Sequence, residues 1–541
     1  MALASDSDAP LDRGALARLL RTHRHRLVLT QEELARQAGV GVRTISDLER
    51  GANHSARLST VRKLAAALRL SEVETQQMLR VARPGPAPTA PVDAEPTGRF
   101  LDAAAADAAG SWERSVSFYE AAMAEVTADP DPDLRDLADA LLGFGRAATM
   151  GLRRHDARPA LVRAARVALR LRDRDRLVEA AAWYSFMTKA GESGHEAGDL
   201  WQHALLLIDD DDLAGRSILV AARATVAVLD LLPESAPALA ARSLDLARRS
   251  GDSDALAVAL SAYVLATWGH PNPGERRALG EELEDVESPW FPHAALAGVE
   301  VQAVPALQLG DRAAFERCAS TLAATATAAH HPYAAAQAEL WCGASCLLRG
   351  DLAAAEAASH AAVASAGRAP NFTAAHVAQI FAIRRAEGRE GELVDVVAAG
   401  LAAQPMELAW RAGLALAALA AGDVARAAEV VDRITGELWP PATTWTLPLT
   451  LAYLAEAAWR LGDAGLGGRV AEALVPYSDE LVVMGTGSAC EGAVSHHLGL
   501  AALARGERDE ARRHLDRALA VHSALDAPVL VARTEAALAA T

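Results

Sequence analysis

Lysine is almost missing from this sequence: Lys63 and Lys189 are the only two in 541 residues. A phosphate-binding loop of the Gly-x-x-x-x-Gly-Lys-Ser/Thr kind needs a lysine to reach the phosphates, and neither residue stands in one, so a nucleotide switch of that type is excluded. The four cysteines are too few for a disulfide framework, and no Cys-x-x-Cys pair or histidine partner gives zinc-ligand spacing. Cys342 and Cys346, one helical turn apart, admit either two thiols on a metal or two small residues at a helix contact, and we read them as the latter. Long apolar runs are lacking too. The best, Leu219 to Leu232, is broken by Arg223 and Asp230 and falls short of the roughly 20 residues that span a bilayer. The opening MALASDSDAP carries no export signal, so a cytoplasmic protein without a membrane partner is expected. No Gly-x-Ser-x-Gly elbow, His-Glu-x-x-His pair or dinucleotide fingerprint occurs, and the chain reads as a non-enzyme with no cofactor, no catalytic residue and no metal site.

Aromatic residues make up only 4% of the chain while apolar residues reach 51%, so the apolar content is mostly Ala, Leu and Val. That composition favours close-packed helices over sheets and predicts an all-α protein. The net charge is −17, but it is uneven. Residues 1–83 hold 14 Lys and Arg against 9 Asp and Glu, which leaves a basic end on an otherwise acidic chain. The basic end can approach a phosphate backbone that repels the remainder. Residues 84–98, PGPAPTAPVDAEPTG, hold five prolines and no apolar period, and predict a semi-rigid linker. We therefore divide the chain into a disordered start (1–10), a small domain (11–83), the linker (84–98) and a long domain (99–541).

In the small domain, apolar residues recur at helical spacing in five short helices. Its centre is TQEELARQAGVGVRTISDLERG, residues 30–51. Thr30 and Glu33 have capping-box spacing, Ala35 is small where two helices cross, and Gly39 permits a turn. Val40, Ile45 and Leu48 anchor the second helix, leaving Val42, Arg43, Ser46, Asp47 and Arg50 to face outward. This pattern resembles the helix-turn-helix regulators typified by phage repressor and Cro proteins and by xenobiotic-response-element-type bacterial regulators, with Gly41 where they usually carry Ser or Thr. The resemblance implies a five-helix, lambda-repressor-like domain whose second helix enters the major groove of a double-stranded operator. It also implies that Val42, Arg43 and Asp47 face the bases, with Thr44 and Ser46 as secondary contacts, and that Gln31, Arg50, His54 and Arg57 hold phosphates. A homodimer follows, because one such domain makes too few contacts for a tight site.

In the long domain a turn of small or apolar residue, Gly and Asp keeps returning, at Leu309-Gly310-Asp311, Arg349-Gly350-Asp351, Ala421-Gly422-Asp423 and Leu461-Gly462-Asp463, with Arg505-Gly506-Glu507 as a variant. Spacings near 40 residues predict helical hairpins stacked in a solenoid, with Gly ending one helix and Asp capping the next. Segments such as Arg384-Arg385-Ala386-Glu387-Gly388-Arg389, Pro476-Tyr477-Ser478, Val482-Val483-Met484-Gly485-Thr486-Gly487 and His497-Leu498-Gly499-Leu500 resemble the tetratricopeptide-type C-terminal half of actinobacterial ATPase-coupled regulators, without the ATPase. The combination with a helix-turn-helix is also similar to the peptide-pheromone receptors of Gram-positive bacteria. These resemblances imply that the repeats receive a peptide, small-molecule or protein effector; the alternative is a scaffold with a constitutive partner and a weak or vestigial DNA-binding domain. Trp445, Trp459, Tyr477, His496 and His497 are the candidate pocket residues, against the plainer reading that they are packing. The run Asp209 to Asp212 reads as a solvated helix end rather than a cation site.

Overall fold

In the computed structural model the chain separates into two compact units, 1–94 and 95–541. The residues described are 20, 24, 31–49 and 58–68 of the first unit. Of the second they are 100–541 apart from 101, 104, 108–110, 130–131, 152, 187–196, 198, 231–234, 292–293, 330–331, 367–368, 406, 438, 440 and 442. The linker and the expected disordered start lie outside them.

The small unit contains helices α1 (Gln31–Ala38), α2 (Val42–Glu49) and α3 (Leu58–Ala67). Leu34, Ala35 and Ala38 of α1, Ile45 and Leu48 of α2, and Val61, Leu64 and Ala65 of α3 close one apolar core that also takes in Leu20 and Leu68. Gly39 ends α1 at φ +62, and the Val40 amide then donates back to the Ala35 carbonyl at 3.0 Å. That left-handed stop turns the chain sharply into α2.

The large unit runs α4 (Trp112–Ala128), α5 (Leu134–Met150), α6 (Arg154–Leu171), α7 (Arg174–Ser185), α8 (Leu200–Ala204), α9 (Leu213–Leu229), α10 (Ala236–Ser250), α11 (Ser253–Thr267) and α12 (Pro273–Glu284). It continues with α13 (Ala294–Gln308), α14 (Arg312–Ala329), α15 (Pro332–Arg349), α16 (Leu352–Ser365), α17 (Pro370–Ala386), α18 (Val394–Ala403), α19 (Leu408–Ala420), α20 (Val424–Glu437), α21 (Leu447–Leu461) and α22 (Ala464–Leu474). A hairpin of β1 (Leu481–Met484) and β2 (Ala489–Ala493) follows, then α23 (Val494–Arg505), α24 (Arg508–Ala524) and α25 (Pro528–Leu538). Most helices pack on the next in sequence, as an array of antiparallel pairs consistent with a solenoid.

The recurring Gly-Asp turns show why the array forms. Gly310, Gly350, Gly422, Gly462 and Gly506 all sit at φ between +69 and +82, where a side chain would be strained. The carboxylates of Asp311, Asp351, Asp423 and Asp463 each accept the amide three residues on, at 2.9 to 3.0 Å, and so start the following helix. Glu507 makes no such cap. Asp212, at the end of the acidic run, caps α9 through the Gly215 amide at 2.9 Å and pairs with Arg174. The core of the array falls into several apolar clusters. One apolar cluster spans 103–297, with Trp183, Phe186 and Phe291 together, and another spans 346–501. A third joins α13 and α15 to the hairpin and to α24 and α25.

The hairpin is the one departure from helix among the described residues, and it is buried. Its antiparallel register pairs Leu481 with Ala493, Val482 with Gly492, Val483 with Cys490 and Met484 with Ala489, so Glu491 is the extra residue of a bulge. β1 packs on α13 and α21, and β2 packs on α15, α17, α23 and α24. The C-terminal helix α25 also packs on α15, and the Tyr477 hydroxyl donates to the Gly269 carbonyl at 2.7 Å. The C-terminal repeats thus curl around the hairpin rather than around an empty channel. No helix among the described residues is long and apolar enough to cross a membrane.

Candidate nucleic-acid interface and repeat groove

The candidate nucleic-acid interface lies on α2. Ile45 and Leu48 are 0% and 3% exposed, which fixes the rotation of the helix about its axis. Val42, at 42%, and Arg43 are exposed, while Thr44 and Ser46 are half-buried. Asp47 is in the helix, but its side chain lies outside the described residues, as do Thr30, Arg50, His54 and Arg57 and the side chain of Glu33. Gly41 caps α2 through its carbonyl alone, accepting the Thr44 amide at 2.9 Å.

Glu49, the last residue of α2, is only 3% exposed and holds the two ends of the motif together. It accepts from Gln31 Nε2 at 2.7 Å and from Arg24 at 2.6 Å through Nε and 2.9 Å through Nη2. Gln31, read from sequence as a phosphate contact, therefore uses its amide nitrogen to tie the start of α1 to the end of α2. The paired Glu49 carboxylate also holds the Arg24 guanidinium above its ordinary pKa, through the hydrogen bond first and Coulomb attraction after the smaller opposing effect of burial.

In the large unit, the five candidate pocket residues do not converge on one cavity. Trp459 packs with Leu500, Leu515 and Ala537. Trp445 donates its indole N–H to Glu407 at 3.0 Å and lies against Gly485 at the hairpin tip. Tyr477 reaches Gly269, as described above. His496 and His522 each place Nδ1 3.0 Å from the Thr534 hydroxyl. The Ala493 amide donates to His522 Nε2 at 2.8 Å, so the His522 proton sits on Nδ1. The Thr534 hydroxyl donates to the Leu530 carbonyl, leaving its oxygen to accept from both rings. His497 Nε2 donates to the Glu491 carbonyl at 3.2 Å. Burial keeps these rings neutral. It depresses His497 and His522 to about 4, with the Arg533 charge adding to it, and lowers His496 as well.

The polar residues that sequence reading missed surround the hairpin. Trp341 Nε1 and Gln337 Nε2 donate to the Thr486 carbonyl at 2.7 and 3.2 Å. Gln379 Nε2 donates to the Ser488 carbonyl at 2.6 Å. A Cβ on Gly487 would lie 2.7 Å from the Trp341 indole nitrogen, so only glycine fits there. At the bulge, the Glu491 carboxylate accepts from the Tyr453 hydroxyl at 3.1 Å, Arg533 Nη1 at 2.9 Å and Arg385 Nη2 at 3.4 Å. Arg385 also donates to Glu456 at 2.8 Å and lies over the Tyr453 ring, 5.1 Å from its centroid. Burial alone would raise both carboxyls; the two arginines outweigh it and hold Glu456 and Glu491 below the ordinary carboxylate range. At the base of β1, Glu480 is the opposite case. Burial, opposed by Arg276, raises it to about 7. Cys346 is buried in the core, and Cys342, one turn away, is exposed; Arg349 donates to the Cys346 sulfur at 3.3 Å. Among the described residues no group of three or more His, Cys, Asp or Glu is placed to hold a metal.

Residues 15–78 match the family described as a helix-turn-helix domain. No curated protein matches the chain. Among solved structures the chain is similar to the anaphase-promoting-complex hetero-tetramer Cut9–Hcn1, at 9% identity over 82% of this chain and 77% of that one, with a TM-score of 0.40. It is also similar to Bacillus thuringiensis PlcR in complex with the peptide PapR7 and DNA, at 13% identity, 56% and 99% coverage and a TM-score of 0.20. ComR from S. thermophilus, in complex with DNA and its signalling peptide ComS, gives 13% identity, 58% and 100% coverage and a TM-score of 0.18.

Proposed function

We propose that this chain is a non-enzymatic, sequence-specific DNA-binding transcriptional regulator, acting as a homodimer, whose tetratricopeptide-like repeats receive an effector that alters DNA binding. The observation that carries the reading is α2 itself. It lies within a matched helix-turn-helix domain, its apolar side is locked into the core by Ile45 and Leu48, and Val42 and Arg43 are exposed. On this reading α2 enters the major groove, where Arg43 donates two hydrogen bonds to a guanine, Val42 meets a thymine methyl and Asp47 accepts from a cytosine amino group. Thr44 and Ser46 are secondary contacts. Gln31, Arg50, His54 and Arg57 hold the flanking phosphates and set register without reading sequence.

The test is genome-wide DNA enrichment with the intact protein beside Arg43→Ala, followed by binding to the best site at several salt concentrations. The reading expects discrete sites, and a loss of about 1–3 kcal/mol on Arg43→Ala concentrated at one base position. Enrichment that is absent, or unchanged by the substitution, contradicts it.

A further inference from the structure

The contacts around the hairpin are those with which a helical-repeat groove would hold a peptide. They fall on main-chain carbonyls, from side chains on separate helices: Gln337 and Trp341 on α15 to Thr486, and Gln379 on α17 to Ser488. Residues 485–488 are Gly-Thr-Gly-Ser, so little at the tip is recognised by side-chain bulk. One charged side chain gives the segment its specificity. The bulge turns Glu491 out of the ladder and into a site built by Arg385 of α17, Tyr453 of α21 and Arg533 of α25, three helices far apart in sequence. That carboxylate is 2% exposed, while Arg533 keeps 24% of its side-chain surface in solvent. A crevice with about 20 Å³ of free room, enough for about one water, reaches Glu491 between α25 and helices α15 and α17. The carboxylate site is therefore buried, with Arg533 at the edge of solvent.

We propose that the repeats contain a binding site for an extended, acidic peptide segment, built from the amides of Gln337 and Gln379, the Trp341 indole and the Arg385–Tyr453–Arg533 carboxylate clamp, and that residues 484–493 of the chain are its resident ligand. This rests on reading the repeats as the receiving half of a regulator, and it specifies how they receive. An effector must offer the same main-chain carbonyls and one carboxylate, and it enters by displacing the resident segment.

The test uses the full chain carrying Glu491→Gln, which weakens the resident ligand and leaves both arginines in place. The probe is a synthetic peptide of residues 484–493, MGTGSACEGA, titrated under reducing conditions. The variant is expected to bind this peptide at least tenfold more tightly than the wild-type chain does, and to lose that gain when the peptide carries Gln in place of its Glu. Equal affinity for both chains, or binding to neither, overturns the proposal. A second variant, Gln379→Ala, leaves the ion cluster intact. Because Gln379 also donates to the Leu340 carbonyl of α15 at 2.8 Å, the control is α13: amide hydrogen exchange should then quicken at least tenfold across 485–489 while α13 stays unchanged. No change, or opening of the whole unit together, would show the hairpin to be inseparable core. Neither readout involves DNA, so a failure of the DNA-reading role leaves this test standing.

Discussion

Each unit buries a glutamate beneath arginine, and the two use it differently. In the small unit Glu49 ends α2 and is held by Arg24 and Gln31, so the buried charge fixes the orientation of a helix with an exposed face. In the large unit Glu491 belongs to a non-helical segment and is held by Arg385 and Arg533 from two other helices, so the buried charge fixes a segment inside a groove. A buried ion pair adds little net stability against a well-packed apolar replacement, yet breaking one is costly, because the surviving charge is left without a partner. In both units the pair acts as a latch on register, the first within a short motif and the second between distant repeats.

The sharpest way to break that comparison is Arg385→Met. It strands Glu456 and Glu491 with only Arg533 and Arg460 nearby and should cost the large unit about 3–5 kcal/mol in chemical denaturation. A loss under about 1 kcal/mol would mean that Arg533 alone satisfies the cluster. Arg24→Ala in the small unit should cost about 2–3 kcal/mol, less because the Gln31 amide still reaches Glu49, and it should weaken DNA binding alongside stability.

Acid distinguishes the units next. His497 and His522, depressed to about 4, are neutral in both folded and unfolded chains above about pH 6.5. As pH falls below that value the unfolded chain takes up protons that the folded one refuses, so stability drops until pH passes through about 4. By pH 5 each ring should cost the large unit about 2 kcal/mol. Glu480 opposes this, since a carboxyl raised to about 7 favours the folded state as pH falls from there toward its unfolded value. Denaturation at pH 7.5 and 5.0 should still show a net loss; a flat profile would mean that the rings are not buried neutral. The smallest effect is Gly41→Ser. A Cβ there meets only the Thr44 hydroxyl at 3.5 Å, and the new side chain should cap α2 and stabilise the small unit by a few tenths of a kcal/mol.

What could be read from sequence was what local rules control. The Gly-Asp phrase predicted left-handed helix ends followed by carboxylate caps, because both devices need only neighbouring residues. The spacing of Leu34, Ala35, Ile45 and Leu48 predicted the core of the helix-turn-helix in the same way. Leu481-Val482-Val483-Met484 carried a strand signal in its β-branched pair and in the glycines that follow, but four residues among long helices are too few to decide on periodicity. The partners of the hairpin were out of reach for a different reason. Gln379 and Ser488 are 109 residues apart, and Arg385 and Glu491 are 106 apart, distances over which no sequence period operates. Trp445, Trp459, Tyr477, His496 and His497 gather in sequence, yet helices and turns carry them to separate neighbours.

A solenoid ordinarily behaves as a one-dimensional chain of links, each repeat stabilised by the next, so that it frays from its ends and tolerates the loss of a terminal repeat. The hairpin changes the dimensionality of that problem. By packing on α13, α15, α17, α21, α23 and α24 it couples helices that are far apart in sequence, and α25 closes back on α15. The C-terminal half should therefore melt as one block and fail when truncated at either end. Withdrawing the hairpin would return it to a string of loosely coupled links.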